Sequence, residues 1–342
     1  MLKASYKKYI LHFKRPSGTS RGILTEKETY FIRIWDDARP ETVGLGECPI
    51  FRGLSREDCP EYEERLSEVC RKINDCIAIG LDKSLKYWSS IRFGVETALK
   101  DLSNGGGRIY YDSDFTKGRK GIRINGLVWM GKEEMMAEQI DDKLDKGFSC
   151  IKLKIGAIDF DREIHLVKSI RDRFSVSDVE LRVDANGAFS PENAMEKLET
   201  LSHYDIHSIE QPIKQGQWTA MAELVRNTPV PIALDEELIG VEDEDERRRM
   251  LDIINPQYII LKPALCGGLS GASQWIKMSR ERNIGWWVTS ALESNVGLNA
   301  LAQWTATLDT EMPQGLGTGS LYTNNIDSPL YLDGEKLYYH AE

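Results

Sequence analysis

The chain has 342 residues, 41% hydrophobic and 29% charged, the balance of a soluble globular protein with room for a large core and two domains. Asp and Glu number 54 against 44 Lys and Arg, a formal net charge of −10. That balance excludes a general nucleic-acid binder but leaves a small anionic substrate open, because a site can be basic inside an acidic chain.

The opening MLKASYKKYILHF carries no apolar signal-peptide core, and no run of about 18 apolar residues follows, so neither secretion nor a membrane span is expected. Tyr6 to Phe13 and Glu28 to Trp35 alternate as antiparallel strands. Between them KRPSGTSRGILTEK (14–27), with Pro16, Gly18 and Gly22, is expected to be a mobile loop. From Ser55 to Asp101 the apolar spacing turns helical, in YEERLSEVCRKI and SIRFGVETALKDL. Strands followed by helices suggest a separate α+β domain over residues 1–115, with SNGGGR (103–108) marking its limit. A phosphate cradle at those glycines lacks the strand–loop–helix context it needs. Six cysteines (48, 59, 70, 76, 150 and 266) form no CxxC pair and are expected as free thiols in a reducing cytoplasm.

From about Gly121 short apolar runs alternate with amphipathic helices. The runs are IRING (122–126), CIKLKIG (150–156), VELRVDANG (179–187), IHSIEQPI (206–213), VPIALDEEL (230–238), YIILKPALCGG (258–268) and GWWVTSALES (285–294). Seven βα units before a Gly-rich close suggest a (β/α)8-type barrel rather than an open sheet. The charged stretch VEDEDERRRM (241–250) reads as a solvated helix face, with Asp243/Arg247, Glu244/Arg248 and Asp245/Arg249 paired at i,i+4. The adjacent Trp286 and Trp287 alternate faces, so at most one lines a pocket.

CIKLKIG poses a problem. Its period of 2 puts Lys152 and Lys154 on one face and Ile151, Leu153 and Ile155 on the other, yet lysine is among the residues least often buried. The later strands resolve it. Lys154 is followed by Asp184, Glu210, Asp235, Lys262 and Ser290, at separations of 30, 26, 25, 27 and 28 residues, one βα unit each. In a barrel such positions converge at the C-terminal mouth. Three carboxylates meeting in an apolar pocket require a cation, and all-oxygen ligation favours Mg2+ over Zn2+. Lys154 and Lys262 then stand on opposite sides of a bound substrate as acid/base groups. Lys152, beside Lys154, is a supporting residue whose positive charge repels a second one. Singly, each acid reads more simply as a cap or loop residue; five charges in five successive strands do not. Two other classes stand beside this reading: a Schiff-base aldolase using Lys262, which three metal-type acids oppose, and a non-catalytic binding protein, which would be expected to have lost at least one of the five charges.

Taken together, KLK, RVDANGAF, SIEQPI, ALDEE and LKPALCGG, with GLGEC (44–48), resemble the enolase superfamily in its muconate-lactonising-enzyme subgroup. The resemblance implies a modified (β/α)7β TIM barrel over 116–319, capped by an α+β domain from residues 1–115 that is completed by about 320–342. It implies one Mg2+ on Asp184, Glu210 and Asp235, with Lys154 and Lys262 as the acid/base pair across an enediolate. Asn186 and Lys152 support the site, and loop 14–27 closes over the substrate. SALESNVG (290–297) and PQGLGTG (313–319) are similar to the corresponding segments of the subgroup's o-succinylbenzoate synthases. Ser290 and the following amide are therefore expected to hold a succinyl carboxylate, and the expected reaction is syn dehydration feeding menaquinone synthesis. Racemisation of N-acylamino acids and dipeptide epimerisation are the alternatives on the same site. Asp309 and Glu311, spaced like the DxD of the epimerases, favour the latter weakly. A small carboxylate substrate, no nucleic-acid or membrane partner and a homo-oligomer complete the expectations.

Overall fold

The computed structural model describes residues 1–19, 22–308 and 310–341. β1 (Leu2–Thr19) and β2 (Gly22–Asp36) form one long antiparallel hairpin, and β3 (Arg39–Cys48) pairs with the other edge of β2. Residues 14–19 and 22–27 are thus not the loop that composition suggests but strand in the outer half of the hairpin, while 20 and 21 lie outside the described residues. Its register shifts once, between His12 and Ser17, then resumes with Ser17 opposite Leu24 and Gly18 opposite Ile23. Pro16 lies within that shift, where a missing ladder donor does least harm. Proline and glycine here mark a bulge, not a break.

Helices α1 (Tyr62–Arg71), α2 (Ile73–Ile79), α3 (Leu81–Ser84) and α4 (Ser89–Ser103) follow. Tyr30, Ile32 and Ile34, alternate residues of β2, pack with Leu66 and Val69 of α1 and Ile91, Val95 and Ala98 of α4. Gly44 and Gly46 explain the GLGEC stretch: a Cβ on either would stand 2.0 Å from a carbonyl oxygen of α4, that of Ala98 or Gly94. Only glycine lets strand and helix approach so closely.

β4 (Ile122–Arg123) then pairs antiparallel with β13 of a C-terminal hairpin, β12 (Leu330–Asp333) and β13 (Lys336–Tyr339). The first barrel strand is β5 (Gly126–Val128), so the run IRING straddles two sheets rather than forming one strand. The partner changes inside it: the Ile124 amide donates to the Glu335 carbonyl, the Asn125 amide to that of Gln314. A five-residue apolar run carries no mark of such a switch.

The barrel continues through α5 (Glu133–Asp145), β6 (Cys150–Lys154), α6 (Phe160–Arg171), β7 (Glu180–Asp184), α7 (Pro191–Ser202), β8 (Ser208–Glu210) and α8 (Trp218–Asn227). It is completed by β9 (Ile232–Leu234), α9 (Glu244–Ile254), β10 (Tyr258–Leu261), α10 (Gly268–Arg280), β11 (Gly285–Val288) and α11 (Asn295–Ala306). The seven strands pair in chain order, β5 to β11. Gln314 and Gly315 bridge the two edges, to Ile124 and Thr289 respectively, and close the sheet on itself. Chain order with helical crossovers is what right-handed βα units produce. Local signals agree: Pro191 opens α7 behind a Ser190–Asn193 capping box, and Ser294 caps α11 through the Val296 amide.

Outward residues such as Ile151, Leu153, Val183 and Ile209 are fully buried under the helices. Inside the barrel, Ala233, Ile260 and Trp287 form a separate floor, with the Arg182 guanidinium 4.2 Å above the Trp287 ring. Trp286 faces the helices and Trp287 the interior, as their alternation requires. Residues 321–323 run along β1, bridged at Phe13–Tyr322 and hydrogen-bonded to Lys14 and His12. On α9, Glu244 and Arg248 pair at 2.9 Å, but Arg247 is buried against Glu242 and Trp275 while Asp243 meets Lys86. The i,i+4 spacing correctly placed residues on one turn, yet position 247 belongs to the core face. All six cysteines are free, five of them buried. Among the described residues no helix is long and apolar enough to cross a membrane.

Candidate active site

Parallel register sets the site. Lys154 pairs with Asp184, and Asp184 with Glu210, across β6, β7 and β8, so their side chains reach the same height at the C-terminal mouth. Asp235 follows β9 and Lys262 follows β10 at the same rim. The three acids are essentially fully buried, and the lysine side chains are 6%, 12% and 15% exposed at 152, 154 and 262.

The charges interlock. Lys152 Nζ donates to Glu210 Oε2 at 2.5 Å and lies 3.0 Å from Asp184 Oδ2. Lys154 Nζ reaches the same Asp184 oxygen at 3.0 Å and Asn186 Oδ1 at 2.8 Å. Lys262 Nζ donates to Asp235 Oδ2 at 2.5 Å. Asn186 donates onward to Glu236 Oε1 at 3.0 Å, which fixes the amide so that its oxygen faces Lys154. Burial alone would lower the pKa of Lys152, but Asp184, Glu210 and Asp235 outweigh it and hold the ammonium charged; Lys262 is raised likewise by Asp235 and Glu236. Burial would raise Asp184, but Lys152, Lys154 and Lys262 hold it well below the carboxylate range. Burial pushes Glu210 up to about 7, with Asp184 and Asp235 adding to the push against Lys152.

The backbone supports this rim under strain. Asn186 and Gln211 sit at φ 43° and 37°, in the left-handed region that non-glycine residues enter only when held. Gln211 is held: it takes the amides of Asp235 and Glu237 on Oε1 and donates to Glu237 Oε2 at 2.9 Å. Its role was not legible in the motif, although its position directly after Glu210 was the available signal.

A cavity of about 230 Å³ opens on the rim. Lys152, Lys154, Asn186, Lys262 and Ser290 line its barrel side, with Phe51 and Trp129 among its apolar wall. Neither aromatic stands out in the sequence, since each belongs to a turn rather than a periodic segment. Above, Leu11, Phe13, Leu292 and Tyr322 pack with Leu24, Phe51 and Trp129, so the hairpin roofs the mouth. At the eighth position the Thr318 hydroxyl meets Ser290 Oγ at 2.9 Å. Of the DxD-like pair, Asp309 lies outside the described residues, and Glu311 borders the opposite, N-terminal end of the barrel.

The residues fit a divalent cation by their chemistry: only oxygen donors are present, and Glu210 Oε1 is buried with no hydrogen-bond partner. Among the described residues, no three acids or other ligands already converge at metal-binding spacing; the lysines stand between them. Asp184, Glu210 and Asp235 balance the three ammonium groups, with Glu236 beside them as a fourth carboxylate. A dication would tip the set positive, and a lysine proton is then the charge most readily lost.

The family model described as enolase C-terminal domain-like matches residues 135–334. The chain is 49% identical to the o-succinylbenzoate synthase of Desulfotalea psychrophila, over 98% of each. The crystal structure of MenC from that organism superimposes with a TM-score of 0.84 at 46% identity, covering 98% of this chain and 99% of the other. The dipeptide epimerase of Enterococcus faecalis, complexed with Mg and L-Leu-L-Tyr, shares the fold at a TM-score of 0.84 and 19% identity, covering 100% of this chain and 97% of its own.

Proposed function

The chain belongs to the enolase C-terminal domain-like family, and on that footing we propose that it is an o-succinylbenzoate synthase. The reaction is syn dehydration of 2-succinyl-6-hydroxy-2,4-cyclohexadiene-1-carboxylate to 2-succinylbenzoate, a step of menaquinone synthesis. One observation carries the reading: a near-full-length relative at 49% identity bears that name, and in this chain Lys154 and Lys262 line one cavity.

Asp184, Glu210 and Asp235 would hold Mg2+, which when bound supplies positive charge opposite the substrate carboxylate and eases removal of the α-proton. Lys154, oriented by Asn186 and Asp184, takes that proton as a neutral amine. Lys262 keeps its ammonium on the opposite face, steadied by Asp235, and stabilises the enediolate electrostatically. The protonated Lys154 returns the proton to the departing hydroxyl, so water leaves from the face on which the proton was removed. Aromatisation supplies the driving force. The cluster under the hairpin excludes bulk water from the mouth.

The test is loss of the diene absorbance in the presence of Mg2+, with Lys154→Ala and EDTA as controls. Conversion should fall by at least about 10²–10⁴-fold in the variant, the usual worth of a general acid–base group. A folded, Mg2+-loaded protein that leaves the diene unchanged sinks the synthase reading. Deuterium exchange at Cα of dipeptides or N-acylamino acids would then identify an epimerase or racemase.

A further inference from the structure

One buried acid beside the barrel mouth has no part in the mechanism above. Glu163 lies in the first turn of α6 and is buried. Its Oε1 accepts three successive backbone amides, those of Gly156, Ala157 and Ile158, at 2.6, 3.1 and 3.3 Å. Its Oε2 is buried and has no hydrogen-bond partner among the described residues. The carboxyl thus serves one turn, which leaves β6 directly after Lys154 and Ile155. Successive amides that converge on one oxygen form an anion nest, and all three donors lose their partner together if the acceptor goes.

That turn is packed on the loop that carries the partners of Lys154. The Ile155 amide donates to the Asp184 carbonyl at 2.8 Å. Gly156, at φ 93°, comes so close that a Cβ on it would stand 2.4 Å from Ala188 Cβ, which only glycine avoids. Farther out, the Phe160 and Phe189 rings meet edge to face at 6.0 Å, with Lys197 Nζ 5.0 and 4.4 Å from their centroids. The connections after β6 and β7 therefore meet at three points. Between them Lys154 Nζ reaches Asn186 Oδ1 and Asp184 Oδ2, at 2.8 and 3.0 Å. Glu236 steadies the Asn186 side of this contact through the side-chain amide; Glu163 steadies the Lys154 side through the backbone.

We propose that Glu163 is a positioning residue: by gathering the 156–158 amides it fixes the end of β6, sets the separation of Lys154 from Asn186, and so aims the base at the α-proton. This rests on the reading of Lys154 as the base. None of residues 155–163 lines the cavity, so the effect falls on turnover and not on binding. A misplacement of about 1 Å costs on the order of 10²-fold in rate, and a shift of a few tenths of an ångström about tenfold.

The experiment compares the parent with Glu163→Leu, Glu163→Gln and Glu163→Asp, all loaded with Mg2+. It measures kcat and KM for the cyclohexadiene substrate and Kd for 2-succinylbenzoate. Glu163→Leu removes the acceptor and should lower kcat about tenfold, with KM and Kd within about twofold of the parent. Glu163→Gln should keep kcat within about threefold, because its carbonyl oxygen still takes the amides and its amine falls where an oxygen already lacks a partner. Glu163→Asp, one methylene short of the amides, should lose kcat as leucine does, and it serves if the leucine variant does not fold. Combining Glu163→Leu with Asn186→Ala should cost less than the product of the two single losses, since both act on one contact. An unchanged kcat, a loss confined to KM, a glutamine variant as poor as the leucine one, or fully multiplicative losses in the double variant overturns the proposal. An inactive parent refutes the synthase reading itself and takes this one with it; an active parent indifferent to Glu163 refutes this one alone.

Discussion

Lys152→Met tests whether the rim is a charge-balanced cation site. The ammonium removed lies 2.5 Å from Glu210 and 3.0 Å from Asp184, both fully buried. Methionine fills its volume without its charge. Breaking a buried pair by removing one partner costs about 3–5 kcal/mol. Glu210, already pushed up to about 7, sheds part of this by taking a proton, so the lower end applies at pH 8. In a chain of this size about 3 kcal/mol corresponds to roughly 4 °C in Tm. Three acids then face only two ammonium groups, and the set carries one net negative charge. Added Mg2+ binds that set more tightly than the balanced one and stabilises by mass action. Scanning calorimetry at pH 8 should show the variant about 4 °C below the parent in EDTA, with at least half of the gap closed at 10 mM Mg2+ (about ten-thousandfold over a micromolar Kd). A Tm within about 1 °C of the parent would show that the ammonium is not the counter-charge. Equal Mg2+ shifts in both proteins would refute the cation site.

Two further outcomes are expected. Burial pushes the Glu57 carboxyl up to about 7 from 4.5, so folding takes up a proton and stability falls as pH rises through that window; Glu57→Gln should widen its advantage over the parent by about 3 kcal/mol between pH 4 and pH 8 in urea unfolding, and a constant difference would refute the assignment. A Cβ on Gly18 would meet the Met130 carbonyl oxygen at 2.7 Å, lifting the hairpin tip from the strand-end loop it bridges; Gly18→Ala should raise KM about fivefold for each 1 kcal/mol lost from closure, with Tm near the parent's, and an unchanged KM would separate the hairpin from substrate binding.

What could be read from the sequence follows from what a period records. Lys154, Asp184, Glu210, Asp235 and Lys262 were legible because a barrel converts a spacing of one βα unit into a ring, and each sits in an apolar run where a charge stands out. The hairpin over 14–27 was not, because glycine and proline permit a bulge as readily as a loop, and only the partner strand decides. Ile122 and Arg123 joined the wrong sheet for the same reason: strand identity lies in the neighbour, and IRING has two. Arg247 and Lys27 mark a different limit. A charged residue in a charged stretch gives no sign that it turns inward, and what it meets there, the Trp275 ring for the one and the Pro49 carbonyl for the other, comes from segments whose approach only the fold determines.

The two buried clusters divide the labour of one site. At the rim, three lysines and three carboxylates neutralise one another within direct contact, an arrangement that a dication can reorganise by releasing a proton. Behind the turn at 290–292, Glu293 takes the Ser290 hydroxyl and Ser290 takes the Leu292 amide, an arrangement that holds the turn fixed. Chemistry requires the first kind, since a base must be able to lose its charge. Selectivity requires the second, since a donor must stay aimed while the substrate is exchanged. A substitution that damages binding but spares turnover is therefore expected behind the turn, and one that spares binding but stops turnover is expected at Lys154.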